Sequence, residues 1–215
     1  MGRTLAEHES LALLRERGVP VVEEAVVDTP DAAAAAARSL GTPVVVKLTG
    51  PGVAHKTERG LVRLGLRSPA EAESAAAELL AAARPDDGPV RLVVAPMVRG
   101  ARELIAGAHT DPQFGPCVMV GIGGILAEVV ADVAVRLAPL DERDAHDMLD
   151  DLRAAAILGP VRGDPPVDRD RVAAVLLALS ALIVEHPEVV SIDINPLVVV
   201  DGAPLAVDAL VELRP

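Results

Sequence analysis

Tryptophan and tyrosine are absent, and phenylalanine occurs once, at Phe114. So few aromatic rings argue against recognition of single-stranded nucleic acid by base stacking. Cysteine also occurs once, at Cys117, so no intramolecular disulfide can form, which fits a reducing compartment. The opening "MGRTLAEHES" has no charged-then-apolar leader character, and the longest apolar run is well short of the ~20 residues that span a bilayer. A soluble, cytoplasmic protein is expected. Positive charge is scarce too: 20 Lys and Arg face 32 Asp and Glu, for a net charge of −12. That excludes wrapping a nucleic-acid backbone. An anionic ligand must be held locally, by a few cations, backbone N–H groups or a metal. Lysine is the scarcest cation. Only Lys47 and Lys56 occur, on either side of a loop in "KLTGPGVAHKTERGLV".

What the chain has in quantity is small aliphatic residues: 51% is hydrophobic, mostly Ala, Val and Leu. Its 215 residues suffice for one large domain or two small subdomains. Residues 4–17 read as a helix, with Thr4 and Glu7 as a capping box and Gly18 as the stop. A short strand follows in "VPVVEEAVV". Thr29-Pro30-Asp31 then opens an alanine-rich helix that Gly41 closes. "PVVVKL" is a buried-type strand ending at Lys47, "LVRLGL" another strand, and "SPAEAESAAAELLAAA" a second capped helix. The charged, apolar-poor "RPDDGP" marks a hinge, which divides the chain into subdomains of roughly 1–88 and 89–215. Strands are expected at about 90–97, 102–109 and 117–121, and helices at about 141–153 and 168–186. The pattern is α+β.

The C-terminal "VVSIDINPLVVVDGAPLAVDALVEL" folds back on Asp201-Gly202, a hairpin signal. A two-residue loop there sets Asn195 opposite Asp208; a four-residue loop, accommodating Pro204, shifts the register but keeps Asp208 on the face of Asp193 and Asn195. Opposed Cβ atoms lie ~5 Å apart, a span that two oxygen ligands of one hard cation can bridge. Mg²⁺ takes one or two such protein oxygens and leaves its other positions to water and phosphate. The alternative is the solvated face of an edge hairpin. Apolar neighbours on both faces favour the metal, because a buried acid needs a partner.

In the opening loop, Lys47 can set an ammonium against phosphate oxygens without the fork geometry of Arg. Gly50 and Gly52 permit close backbone approach. His55 has a neutral form at physiological pH and can act as nucleophile or proton carrier, although a loop histidine is often inert. "GIGG" at 121–124 is either a phosphate contact or a tight turn, and it is no dinucleotide fingerprint. Glu103 stands among apolar neighbours as a ribose or cation ligand, or as an ion-pair partner of Arg99 or Arg102. Glu128, Asp132 and Arg136 either line a site or carry surface charge.

Taken together, the strand lysine, the Gly/His loop, "RELIAGAHTDPQFGP", "GIGGILAEVVADVAVRLAPL" and "IDINPL…AVDA" resemble the ATP-grasp half of the NDP-forming acyl-CoA synthetases, relatives of succinyl-CoA synthetase, in their β subunit. The resemblance runs over nearly the whole chain and implies two α+β lobes gripping ATP–Mg²⁺. It implies Lys47 on the ATP phosphates with Lys56 beside the carrier, residues 96–98 (Pro96, Met97, Val98) as the adenine hinge, and Glu103 as a nucleotide-contacting acid. It further implies Asn195 and Asp208 as Mg²⁺ ligands, Asp193 near the phosphoryl-transfer centre, and His55 as phosphoryl carrier. The family reaction is acyl-CoA + ADP + phosphate ⇌ carboxylate + CoA + ATP. Where the family's loop usually carries a Gly-Gly pair after the histidine, this chain has Gly60 followed by Leu61. No segment resembles the CoA-binding domain or the domain with the primary phosphohistidine, so an α-type partner is implied. Two other readings stay open: a nucleotide-sensing module that catalyses nothing, and a stand-alone ATP-grasp carboxylate–amine ligase.

Overall fold

The computed structural model describes residues 3–53, 56, 58–100, 102–124, 131–161 and 163–214. Its contacts divide the chain into two units, Val22–Met97 and Met1–Val21 with Val98–Pro215. The boundary therefore falls between Met97 and Val98 rather than at 88/89, and the first helix belongs with the C-terminal part. "RPDDGP" is no linker. Pro85–Asp87 forms a 3₁₀ turn inside the smaller unit, and Asp87 is 2% exposed. Its polarity is absorbed by an internal ion pair, which composition alone does not reveal.

In the smaller unit, strands β2 (Ala25–Val27), β3 (Val44–Thr49), β4 (Val62–Leu66) and β5 (Arg91–Pro96) form an antiparallel sheet ordered β2-β5-β3-β4. Helices α2 (Pro30–Leu40) and α3 (Pro69–Ala81) begin as the sequence indicates: Thr29 Oγ1 accepts from the Ala32 N–H and Ser68 Oγ from the Glu71 N–H, both at 3.2 Å. One core holds Ala33, Ala37, Ala72 and Ala76 against Val44, Val46, Leu48 and Val94. Alanine lets the helix backbones come close to the sheet, so a chain without large aromatics still fills its interior. Side chains alternate across a strand, so Val45, Lys47 and Thr49 lie on the face away from that core.

The larger unit is built on a sheet ordered β1-β11-β9-β6-β7-β8, with β10 also pairing β9. These strands are β1 (Arg3–Thr4), β6 (Arg102–Asp111), β7 (Gly115–Ile122), β8 (Val133–Leu137), β9 (Val189–Val200), β10 (Ala203–Ala206) and β11 (Ala209–Leu213). Helix α4 (Glu142–Asp150) packs on β8 and on α5 (Arg169–Glu185), which covers β6, β7 and β9. Ala106, Ala108, Val118, Val120, Ile192 and Ile194 are buried. Helix α1 (Glu7–Glu16) starts later than expected: Thr4 pairs with Glu212 in the sheet, and it is Glu9 that accepts from the Ala6 N–H, at 2.9 Å. The pairing partner lies at the far end of the chain, so the local cap signal was overridden. Among the described residues, no helix is long and apolar enough to cross a membrane.

Candidate functional site

The hairpin takes the tight register. Val200 pairs with Ala203 and Leu197 with Ala206, while Ile194 pairs with Ala209 and Asp193 with Leu210. Pro204 sits in the ladder opposite Val199 without lengthening the loop, because Asp201 (φ 49°) and Gly202 (φ 85°) take the left-handed conformations that a two-residue turn requires. Between the paired stretches the Asn195 N–H donates to the Asp208 carbonyl at 3.3 Å. Asn195 and Asp208 are thus directly opposed, on one face with Asp193.

That face is open: Asp193 and Asn195 are exposed and Asp208 half-buried. The expectation that apolar flanks would bury these groups is corrected, since the apolar residues point the other way, towards α5. Protein packed around Asp193 nevertheless raises its carboxyl from the ordinary carboxylate value by desolvation. Among the described residues no group of three or more His, Cys, Asp or Glu could hold a metal ion. An amide oxygen and one carboxylate suit a cation that completes its shell with water and phosphate, which is the habit of Mg²⁺.

Lys47 lies half-buried on β3, paired with Val62 on one side and Val93 on the other. The strand runs directly into the loop. His55 lies outside the described residues, as does Glu128. The flanks of the loop are described. The Lys56 carbonyl accepts from the Leu61 N–H at 2.7 Å, and the Gly52 N–H donates to the Asp87 carbonyl at 3.1 Å. Gly52 has no room for a side chain, because a Cβ there would stand 2.2 Å from the Asp86 carbonyl oxygen. Arg59 closes the far side, its two terminal nitrogens donating to the Asp87 carboxylate at 2.7 and 2.9 Å. The Arg59 hydrogen bonds and the Arg84 N–H hold the Asp87 carboxyl down at about 2. Sequence reasoning missed this pair, whose members are far apart in the chain.

Pro96, Met97 and Val98 are all half-buried. The Met97 N–H donates to the Pro43 carbonyl at 2.8 Å, and Pro96 has no N–H. Glu103 is half-buried rather than buried. Arg102 is not its partner; it is 5% exposed and donates to the carbonyls of Ile157 (3.2 Å), Gly159 (2.8 Å) and Pro165. "GIGG" is close-packed: Gly121 and Ile122 end β7, the Gly123 N–H donates to the Glu103 carbonyl at 2.8 Å, and a Cβ on Gly124 (φ 80°) would lie 3.5 Å from the Glu103 carboxylate. Asp132 is a structural anchor, 2% exposed, accepting from the N–H groups of Ala154 (2.8 Å) and Arg153 (2.9 Å).

The model of the ATP-grasp domain matches residues 1–213. The chain is 36% identical over 210 residues to the β subunit of acetate–CoA ligase (ADP-forming) I of Pyrococcus furiosus, covering 96% of this chain and 90% of that one. It is 38% identical over 203 residues to acetate–CoA ligase (ADP-forming) I of Archaeoglobus fulgidus, covering 93% of this chain and 30% of that protein. It superposes with TM-score 0.85 and 34% identity on the dinucleotide-forming acetyl-coenzyme A synthetase 1 of Ca. Korarchaeum cryptofilum, over 99% of this chain and 93% of that one. That structure holds coenzyme A and Mg-AMPPCP, with its phosphohistidine segment pointing towards the nucleotide binding site. The fold is therefore ATP-grasp. Within it, this chain belongs to the ATP-grasp, β-subunit-type family of the ADP-forming acyl-CoA ligases.

Proposed function

We propose that the chain is the nucleotide-binding, β-type subunit of an ADP-forming acid–CoA ligase, working with an α-type partner that supplies the CoA and acyl sites. The observation that carries this reading is the opposition of Asn195 and Asp208 on an exposed sheet face that also bears Asp193. These two residues would hold Mg²⁺, which when bound offsets charge on the nucleotide phosphates. Lys47 would bind those phosphates as a point charge, and Val98 and its neighbours would meet the base. In the direction of ATP cleavage a ring nitrogen of His55 takes the γ-phosphoryl group. An N–P bond forms as the bond from the γ-phosphorus to its bridging oxygen breaks, and ADP leaves. The group then passes to the carboxylate as acyl phosphate, and CoA thiolysis releases phosphate. Such chemistry depends mainly on positioning and electrostatics. Asp193, whose carboxyl is raised by desolvation, would adjust charge beside the phosphates.

Titration calorimetry tests the metal assignment. Mg²⁺-dependent ATP or ADP binding is expected to weaken at least ~10-fold in Asn195→Ala/Asp208→Ala, the range of a lost charge-assisted ligand set. Unchanged metal-dependent affinity in the double variant would rule it out. Acid-labile labelling from [γ-³²P]ATP, lost in His55→Ala, tests the carrier.

A further inference from the structure

We propose that Gly123 and Gly124 are positioning residues for Glu103, setting its carboxylate on the open sheet face to accept from the ribose hydroxyls of a nucleotide. This rests on reading that face as the nucleotide site. Leu104, Ala106 and Ala108 are buried in the core of the larger unit, so Glu103, Ile105 and Gly107 alternate on the opposite face. Gly107 pairs with Asp193, which puts Asp193 on that same face. Glu103 stands four residues from this row, ~13 Å along β6. Among the described residues no hydrogen bond or ion pair engages its carboxylate, although the residue is half-buried. A phosphate beside such a group is repelled, whereas two neighbouring hydroxyls supply the donors that its two oxygens lack.

The two glycines decide where that carboxylate lies. The Gly123 N–H donates to the Glu103 carbonyl at 2.8 Å, and a Cβ on Gly123 would stand 3.0 Å from the Glu103 carbonyl carbon and from the Leu104 carbonyl carbon and oxygen. These are backbone atoms of a paired strand and cannot swing aside, so a side chain at 123 lifts the segment off β6. Gly124 takes φ 80°, a conformation that strains an L-residue. A Cβ there would lie 3.5 Å from Glu103 Oε2 and 3.9 Å from Glu103 Cβ. The carboxylate therefore runs along the side of Gly124 that a side chain would occupy. The pair is anchored one residue earlier: the Ile122 N–H donates to the Asp132 carbonyl at 3.0 Å. The buried Asp132 carboxylate is fixed in turn by the N–H groups of Arg153 and Ala154.

The test uses the full chain in five forms: unaltered, Gly123→Ala, Gly124→Ala, Glu103→Ala and Gly124→Ala/Glu103→Ala. Titration calorimetry with the Mg²⁺ complexes of ATP, 2′-deoxy-ATP and 3′-deoxy-ATP measures how far each form prefers the full diol. The unaltered chain is expected to bind ATP ~10-fold more tightly than either deoxynucleotide, as loss of a hydrogen bond to a charged group implies. Glu103→Ala removes that preference, and each glycine variant lowers it several-fold. In the Glu103→Ala background Gly124→Ala changes the preference no further, because the two act as one unit. If Gly123→Ala does not fold, Gly124→Ala, whose Cβ meets only ordinary contacts, carries the comparison. An unchanged preference in folded glycine variants overturns the positioning role. Equal loss of affinity for all three nucleotides overturns it too, since a merely structural effect does not distinguish them. If Glu103→Ala keeps the full preference, Glu103 is not the ribose acceptor and the proposal falls. If the unaltered chain binds none of the three, the nucleotide-site reading itself fails and takes the proposal with it.

Discussion

In the larger unit the candidate metal ligands are set by a hairpin, Asn195 on β9 and Asp208 between β10 and β11. These two, and Asp193 on the same face, take their places from the pleat and from a two-residue turn, with Ile192, Ile194 and Val211 anchoring the other face in the core. In the smaller unit the described residues that flank the candidate carrier are held on one turn: Gly52 by close packing on the Asp86 carbonyl, Arg59 by the buried Asp87 carboxylate. Strand register places groups to within an ångström and leaves them there. An ion pair is set instead by two side chains that meet across the fold.

Breaking the phosphate contact gives the largest expected effect. Lys47→Ala should lower ATP-dependent turnover by ~10²-fold or more, the usual loss when a donor to developing charge is removed, with the melting temperature little changed. Activity retained in that variant would move the phosphate site off β3. Next comes the packing that fixes the loop. Gly52→Ala should cost about 1–3 kcal/mol of stability in denaturant unfolding, because the Asp86 carbonyl cannot retreat without disturbing the turn. A neutral result would mean that this flank of the loop is not held as described.

The smallest effect separates the units by pH. The Asp87 carboxyl is held at about 2 in the folded chain against 3.8 for an ordinary aspartate. The folded state thus binds its proton less readily than the unfolded state. The stability it contributes is complete above pH 3.8 and drains away as pH falls towards 2. Loop exchange should accelerate in that window, while the hairpin amides around 192–211 hold to lower pH. Equal loss in both regions would dissolve the contrast.

Local rules read well where the deciding contacts are near in sequence. Thr29 and Ser68 cap their helices as written, and Asp201-Gly202 turns the hairpin in the register that opposes Asn195 and Asp208. Local rules misled where the partner is remote. Thr4 looked like a cap until strand β11 claimed it, and "RPDDGP" looked like a linker although Arg59 neutralises Asp87 within the fold. Arg102 beside Glu103 suggested an ion pair, yet three carbonyls from a distant segment take the guanidinium.

By itself, then, the sequence determined the α+β elements, the family motifs and the face shared by Asp193, Asn195 and Asp208, since turn chemistry and a period of two act over a few residues. Only the tertiary structure decided that this face is open, that a unit boundary lies at Met97–Val98, and that Arg59 and Gly52 both meet Asp87. Burial and charge pairing are settled between segments far apart in the chain, where no local pattern records which groups meet.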